Sequence, residues 1–173
     1  MTKSLHRRIF NRVFHLLARL SPGSTSFRPM LHRWRGVKIG KEVFLGDDVF
    51  IDNEYPECVE IQDRVQISIR VVIVAHTRGS GRVIIERDTF VGPHCVIACS
   101  AGRTLTIGAG AVIGPGCVIT RNVAPRTYLT LPAPRPIGIA TVPLSTANTM
   151  EEFLGGLKPW AAPKGNPEPE AGQ

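Results

Sequence analysis

Two imidazoles lie in the central part of the chain, His76 and His94. His76 falls in its longest irregular stretch, residues 74–84. An imidazole of ordinary pKa, near 6.5, can take a proton from a hydroxyl as that hydroxyl attacks a carbonyl, then return it to the leaving group. A second polar stretch, Asp52-Asn53-Glu54-Tyr55-Pro56-Glu57, precedes it. Asp52 and Glu54 offer carboxylates that either bind ligand hydroxyls or orient His76, and Tyr55 offers an aromatic face. The alternative is a hydrated turn around Pro56. Catalytic zinc needs three protein ligands and an open position. Two histidines 18 residues apart fall short of that set, so no metal is expected. The four cysteines contain no CxxC pair. Cys58 and Cys99 stand near the same stretches and leave a covalent thiol route open.

The elements that position these side chains follow from a repeat. Aliphatic residues recur every six positions: Ile39, Leu45, Ile51; Ile61, Ile67, Ile73; Ile85, Val91, Ile97; Ile107, Ile113, Ile119. The groups of three begin 22, 24 and 22 residues apart, so extra residues enter only after each third hexad. The position two before each aliphatic is also small or apolar, with Thr89 the one polar exception. Inward positions two apart are strand periodicity.

Each hexad then makes one flat side of about 20 Å, and three sides make a coil, with coils stacked about 4.8 Å apart. The predicted fold is an all-β solenoid of about four coils. Ile39, Ile61, Ile85 and Ile107 would form one column, and Ile51, Ile73, Ile97 and Ile119 another. Stacking buries an apolar column that no single coil could bury. Cys95 and Cys117 share a column as small core residues. Gly40, Gly46, Gly92, Gly108 and Gly114 mark tight corners or close backbone approach. A sandwich of short strands would not keep phase over twelve hexads. On this frame the 52–57 stretch lies one coil below His76, at the same corner.

The repeat resembles the hexapeptide-repeat, left-handed β-helix acyltransferases, above all the galactoside and maltose O-acetyltransferase group, over about residues 36–140. The resemblance implies the left hand of the coil; parallel crossovers are otherwise right-handed. It implies an acyl-CoA-dependent O-acyltransferase, moving acetyl from acetyl-CoA to a sugar hydroxyl of a cell-surface glycan or its precursor. It implies His76 as the general base and Asn53 as an acceptor contact, with Asp52, Glu54 and Tyr55 beside it. It implies that coenzyme A runs along a wall between subunits of a homotrimer. Thr120-Arg121 matches the family's threonine-lysine after the last hexad, and Arg135 its basic residue near the exit. His94 would orient the acceptor or the pantetheine arm. Guanidinium groups suit phosphate. The segment Leu131-Pro132-Ala133-Pro134-Arg135 departs from the family's pattern by one position, and Pro93 and Pro115 replace small residues.

Flanking arms complete the plan: 1–35 a basic helical arm, 36–140 the catalytic solenoid, and 141–173 an extension. The extension is expected to hold a short helix capped by Thr149, then a disordered stretch over 158–173. Residues 1–35 carry eight Lys/Arg and no Asp/Glu, whereas the whole chain has net charge +7. The basic character therefore belongs to the arm, and nucleic acid is not an expected partner. Residues 3–20 read as an amphipathic helix stopped by Ser21-Pro22-Gly23. It either packs on the open end of the solenoid or on a neighbouring subunit, or rests on an anionic membrane surface. No spanning segment or secretory signal is read, so a cytoplasmic protein, with the inner membrane face as a peripheral site, is expected. Two other readings share the fold. One is a metal hydrolase or hydratase of the γ-carbonic anhydrase type. The other is a non-catalytic assembly or membrane-docking protein.

Overall fold

The computed structural model describes residues 4–77 and 79–160. Two helices come first, α1 (Leu5–Leu20) and α2 (Phe27–Arg35). Coil one holds β1 (Lys38–Ile39), β2 (Phe44–Leu45) and β3 (Phe50–Ile51). Coil two holds β4 (Val59–Ile61), β5 (Gln66–Ile67) and β6 (Val72–Thr77). Coil three holds β7 (Arg82–Ile85), β8 (Phe90–Val91) and β9 (Val96–Ser100). Coil four holds β10 (Thr104–Ile107), β11 (Val112–Ile113) and β12 (Val118–Ile119), and β13 (Tyr128–Leu129) follows.

The strands form three parallel sheets, β1-β4-β7-β10, β2-β5-β8-β11-β13 and β3-β6-β9-β12. This is a parallel β-solenoid of about four turns behind an N-terminal helix, consistent with the left-handed β-helix. The register is the one the hexads dictate. Ile39 faces Ile61, Ile61 faces Ile85, and Ile85 faces Ile107. Ile51 faces Ile73, Ile73 faces Ile97, and Ile97 faces Ile119. These side chains form one continuous buried core, with Ile39 partly buried against it. Thr89 is tolerated within it because its hydroxyl donates to the Gly108 carbonyl at 3.2 Å. Cys95 and Cys117 are buried free thiols in that core. Ile97 has no exposed surface, so Ile97→Ala is expected to cost about 2–5 kcal/mol, read as a lower urea midpoint.

Of the two roles expected for the corner glycines, close backbone approach is the one observed at Gly46 and Gly92. A Cβ on Gly46 would lie 2.7 Å from the Ile69 amide nitrogen, and one on Gly92 2.8 Å from the Ile113 oxygen. These glycines admit the next coil's backbone. Several left-handed corner positions instead fall to Glu42, Asp48, Arg64, Arg70, Asp88, His94 and Arg126, with φ from 55° to 62°.

The solenoid also runs further than the loss of phase after Val123 suggests. Val123 bridges Ile107, and β13 pairs with β11. Phase is lost in sequence because the corner from Ile119 to Val123 takes 4 residues, where the corner from Ile97 to Ile107 takes 10.

An open first coil presents unpaired backbone carbonyls, a template for unwanted pairing. Three arginines of α2 answer it. Arg33 donates to the Ile39 and Gly40 oxygens at 3.1 and 2.5 Å. Arg28 donates to the Leu45 oxygen at 3.0 Å. Arg35 donates to the Ile51 and Asp52 oxygens at 2.9 and 2.7 Å. Each side of the first coil thus receives a guanidinium, and part of the arm's charge is structural. Helix α2 is a second helix of the arm, beyond the 3–20 segment; Pro29 sits in its first turn, where its missing N–H costs no helical bond, and Gly36 closes it at φ 105°.

The chain divides into two compact units, Met1–Leu131 and Pro132–Gln173. In the second, β14 (Gly138–Ala140) pairs antiparallel with a strand after the third helix, α3 (Met150–Gly155). That strand is β15 (Leu157–Pro159), so residues 158 and 159 of the expected disordered stretch pair in a strand. Thr149 caps α3, its hydroxyl accepting from the Glu152 amide at 3.1 Å. Residues 161–173 of the expected disordered stretch lie outside the described residues.

Candidate active site

His76 is on a strand, not in a loop. β6 continues past the hexad because Val74 and Thr77 pair with Ala98 and Ser100 of β9. The added residues after the second coil's third hexad therefore extend a sheet beyond the solenoid corner and carry the imidazole with it.

β3 ends one coil below. There Asp52 leaves the strand with its amide donating to the Ile73 oxygen at 2.9 Å. Its side chain is fully buried and turns into the corner. One carboxylate oxygen, Oδ1, accepts from the Glu54 and Tyr55 amides, both at 2.9 Å. The other, Oδ2, accepts from the Ala75 amide at 2.8 Å and meets His76 Nδ1 at 2.5 Å. Four donors converge on two oxygens, which is the full acceptor capacity of a carboxylate.

The arrangement fixes the imidazole. A carboxylate can only accept, so in the neutral ring Nδ1 carries the proton and Nε2 keeps the lone pair. The His76 side chain is 35% exposed, and the Tyr55 ring lies 5.7 Å away, centroid to centroid, tilted by 54°. An oriented base with its accepting nitrogen free to meet a ligand is the chemical content of this corner.

Other expected site residues are placed as follows. Asn53 is half-buried; its Oδ1 accepts from Arg35 Nη2 at 2.8 Å, and its backbone oxygen accepts from Asn11 Nδ2 at 3.1 Å. Glu54 faces Arg8 and Arg12 of α1 at 3.5 and 3.9 Å. Thr120 follows β12, whose Ile119 registers on Ile97 and through it on Ile73. Thr120 and Arg121 are therefore exposed at the corner of His76, two coils or about 10 Å along the axis. His94 is exposed at a left-handed turn, its amide donating to the Ile69 oxygen at 3.1 Å. Arg135 is exposed in the second unit. Cys99 is buried, with its thiol donating to the Arg103 oxygen at 3.2 Å. Among the described residues, no group of three or more His, Cys, Asp or Glu could hold a metal ion.

Beneath the dyad lies a support that the motifs did not single out. Arg35 is fully buried and binds His15 Nδ1 at 3.1 Å and His32 Nδ1 at 2.8 Å. It also holds the Asp52 oxygen and Asn53 Oδ1. Burial, then the neighbouring guanidinium, pushes His15 down to about 3 and His32 well below its ordinary value. Both rings are neutral acceptors toward Arg35. Burial also lowers Arg35, to about 10. The available signal was the polar stripe Asn11, His15 on α1, four residues apart and followed by Ala18.

No known protein-family model matches the chain. Over 119 residues, 61% of this chain, it is 31% identical to bifunctional protein GlmU from Polaromonas naphthalenivorans (strain CJ2), of whose length it spans 24%. Among solved structures, serine acetyltransferase isoform 3 from Entamoeba histolytica, in complex with cysteine, is 22% identical. That alignment covers 81% of this chain and 51% of the other, with a TM-score of 0.31. The corner that interrupts the repeat carries the dyad.

Proposed function

We propose that this chain is an acyl-CoA-dependent O-acyltransferase that moves acetyl from acetyl-CoA to a sugar hydroxyl of a cell-surface glycan or its precursor. The observation that supports this most is the His76–Asp52 pair, whose Nε2 is an acceptor at the exposed end of β6.

A sugar hydroxyl is a weak nucleophile at neutral pH. His76 Nε2 takes its proton as the hydroxyl oxygen bonds to the thioester carbonyl carbon. Asp52 stabilises the imidazolium so formed. The carbon–sulfur bond then breaks, and His76 returns the proton to the departing thiolate. Asn53, Glu54 and Tyr55 line the acceptor side. Thr120 and Arg121 bind the coenzyme phosphates, and His94 orients the pantetheine arm or the acceptor. Transfer is direct in a ternary complex, so a variant with both Cys58→Ser and Cys99→Ser is expected to keep the full rate. One flat wall cannot enclose a ligand, so a homotrimer closing three clefts around a threefold axis is part of the reading.

The test is a structure with coenzyme A bound. Its sulfur is expected within hydrogen-bond reach of His76 Nε2. A thiol directed to another face of the solenoid would overturn the assignment, as would absence of acceptor-dependent thiol release from acetyl-CoA across a panel of sugars.

A further inference from the structure

Helix α1 is docked the wrong way round for an ordinary surface helix. An amphipathic helix normally buries its apolar stripe and shows its polar face. Here Asn11, His15 and Ala18 are the buried residues of α1. The apolar stripe Leu5, Ile9, Val13, Leu16, Leu17 and Leu20 points outward, each side chain between 46% and 85% exposed. A contiguous exposed stripe of this size marks an interaction surface.

Charge selects the occupant. Arg8 and Arg12 border the stripe and share one carboxylate, that of Glu54. Arg7 and Arg33 donate to the carbonyl oxygens of Arg35, Ile39 and Gly40, which are neutral acceptors. Residues 1–35 contain no acidic residue. A second α1 laid on the first would bring arginines against arginines. No helix among the described residues is long and apolar enough to cross a bilayer. A helix that lies flat, with its aliphatic face among acyl chains and arginines at the headgroup level, satisfies both features.

We propose that α1 docks this protein on an anionic lipid surface through its outward aliphatic stripe and flanking arginines. The inference stands apart from the transferase reading, because it concerns the outer face of α1 and is read without any activity. The inner face of the same helix holds the loop that bears Asp52, through the bond from Asn11 to the Asn53 oxygen. Docking therefore sets the His76 corner about one helix diameter, roughly 10 Å, from the headgroups.

The test is co-sedimentation of the full chain with vesicles of phosphatidylcholine alone or with a quarter phosphatidylglycerol. Anionic vesicles are expected to bind at least tenfold more tightly, and binding should weaken as salt rises from 0.1 to 0.5 M. The double substitution L16E/L17E touches only exposed positions. It should cut vesicle binding more than tenfold with the thermal melt unchanged. Equal binding by the double variant, or no preference for anionic vesicles, overturns the proposal. So does dissociation of an oligomer by the same substitutions with vesicle binding intact, which would assign the stripe to a second copy of the chain.

Discussion

His76→Ala and Asp52→Asn are each expected to lower acetyl transfer by about two to four orders of magnitude while coenzyme A affinity stays within a few-fold. For His76 the reason is the loss of the oriented acceptor proposed to take the hydroxyl proton. The side chain is partly exposed, so its removal should leave the melt unchanged. For Asp52 the reason is geometric frustration. The carboxylate accepts four N–H groups, two on each oxygen. An amide has only one accepting atom. If the Asn oxygen serves the Glu54 and Tyr55 amides, its NH2 opposes the Ala75 N–H and donates to His76 Nδ1. That drives the ring proton onto Nε2, the atom required to accept. If the oxygen serves Ala75 and His76, the turn from 52 to 55 loses its acceptor. Either way the oriented tautomer or the loop is lost. Thiol-release kinetics with calorimetric coenzyme titration separates this from failed binding. An Asp52→Asn enzyme with full kcat would show that the carboxylate merely shapes the turn.

The aliphatic columns were legible because a solenoid repeats one local problem. Each inward residue meets its equivalent from the next coil, so spacing alone sets register, as Ile73 on Ile97 shows. The corner shared by Asp52 and His76 followed from the same register. What spacing could not show was which of two roles Asp52 takes, since ligand binding and imidazole orientation ask for the same residue type. The strand under His76 was not legible because the residues that pair with its extension, Ala98 and Ser100, lie outside the hexad positions. The inverted docking of α1 was hidden for a different reason. Hydrophobic periodicity locates a face but not its direction, and here buried polar partners on coil one outweigh the apolar stripe. Asn11 and His15 have meaning only beside Asn53 and Arg35, which no local pattern connects.

That buried polar node makes acid the protein's weak side. His15 is neutral in the fold, its pKa pushed down to about 3, while the unfolded chain titrates near 6.5. His32 is shifted in the same direction. Between those values the unfolded state binds more protons than the folded state, so stability rises with pH and is lost as pH falls below 6.5. Each histidine contributes a slope approaching about 1.4 kcal/mol per pH unit, and the two together about twice that. Glu60 and Asp88 are shifted down through hydrogen bonds from Arg82 and Arg64. Their contribution is present above their unfolded values, near 4.5 and 3.8, and fades only at lower pH. The window from pH 6.5 to 5 therefore isolates the histidines. Urea midpoints across it should fall steeply for the wild type. His32→Asn keeps an acceptor near the Nδ1 position without a titrating proton, so it should remove about half the slope, and the His15→Asn/His32→Asn pair most of it. Unchanged slopes would place the acid response elsewhere. A protonated ring beside Arg35 sets two cations against each other at the residue that holds the Asp52 carbonyl. The His76 corner should then loosen in the same pH range, ahead of global unfolding.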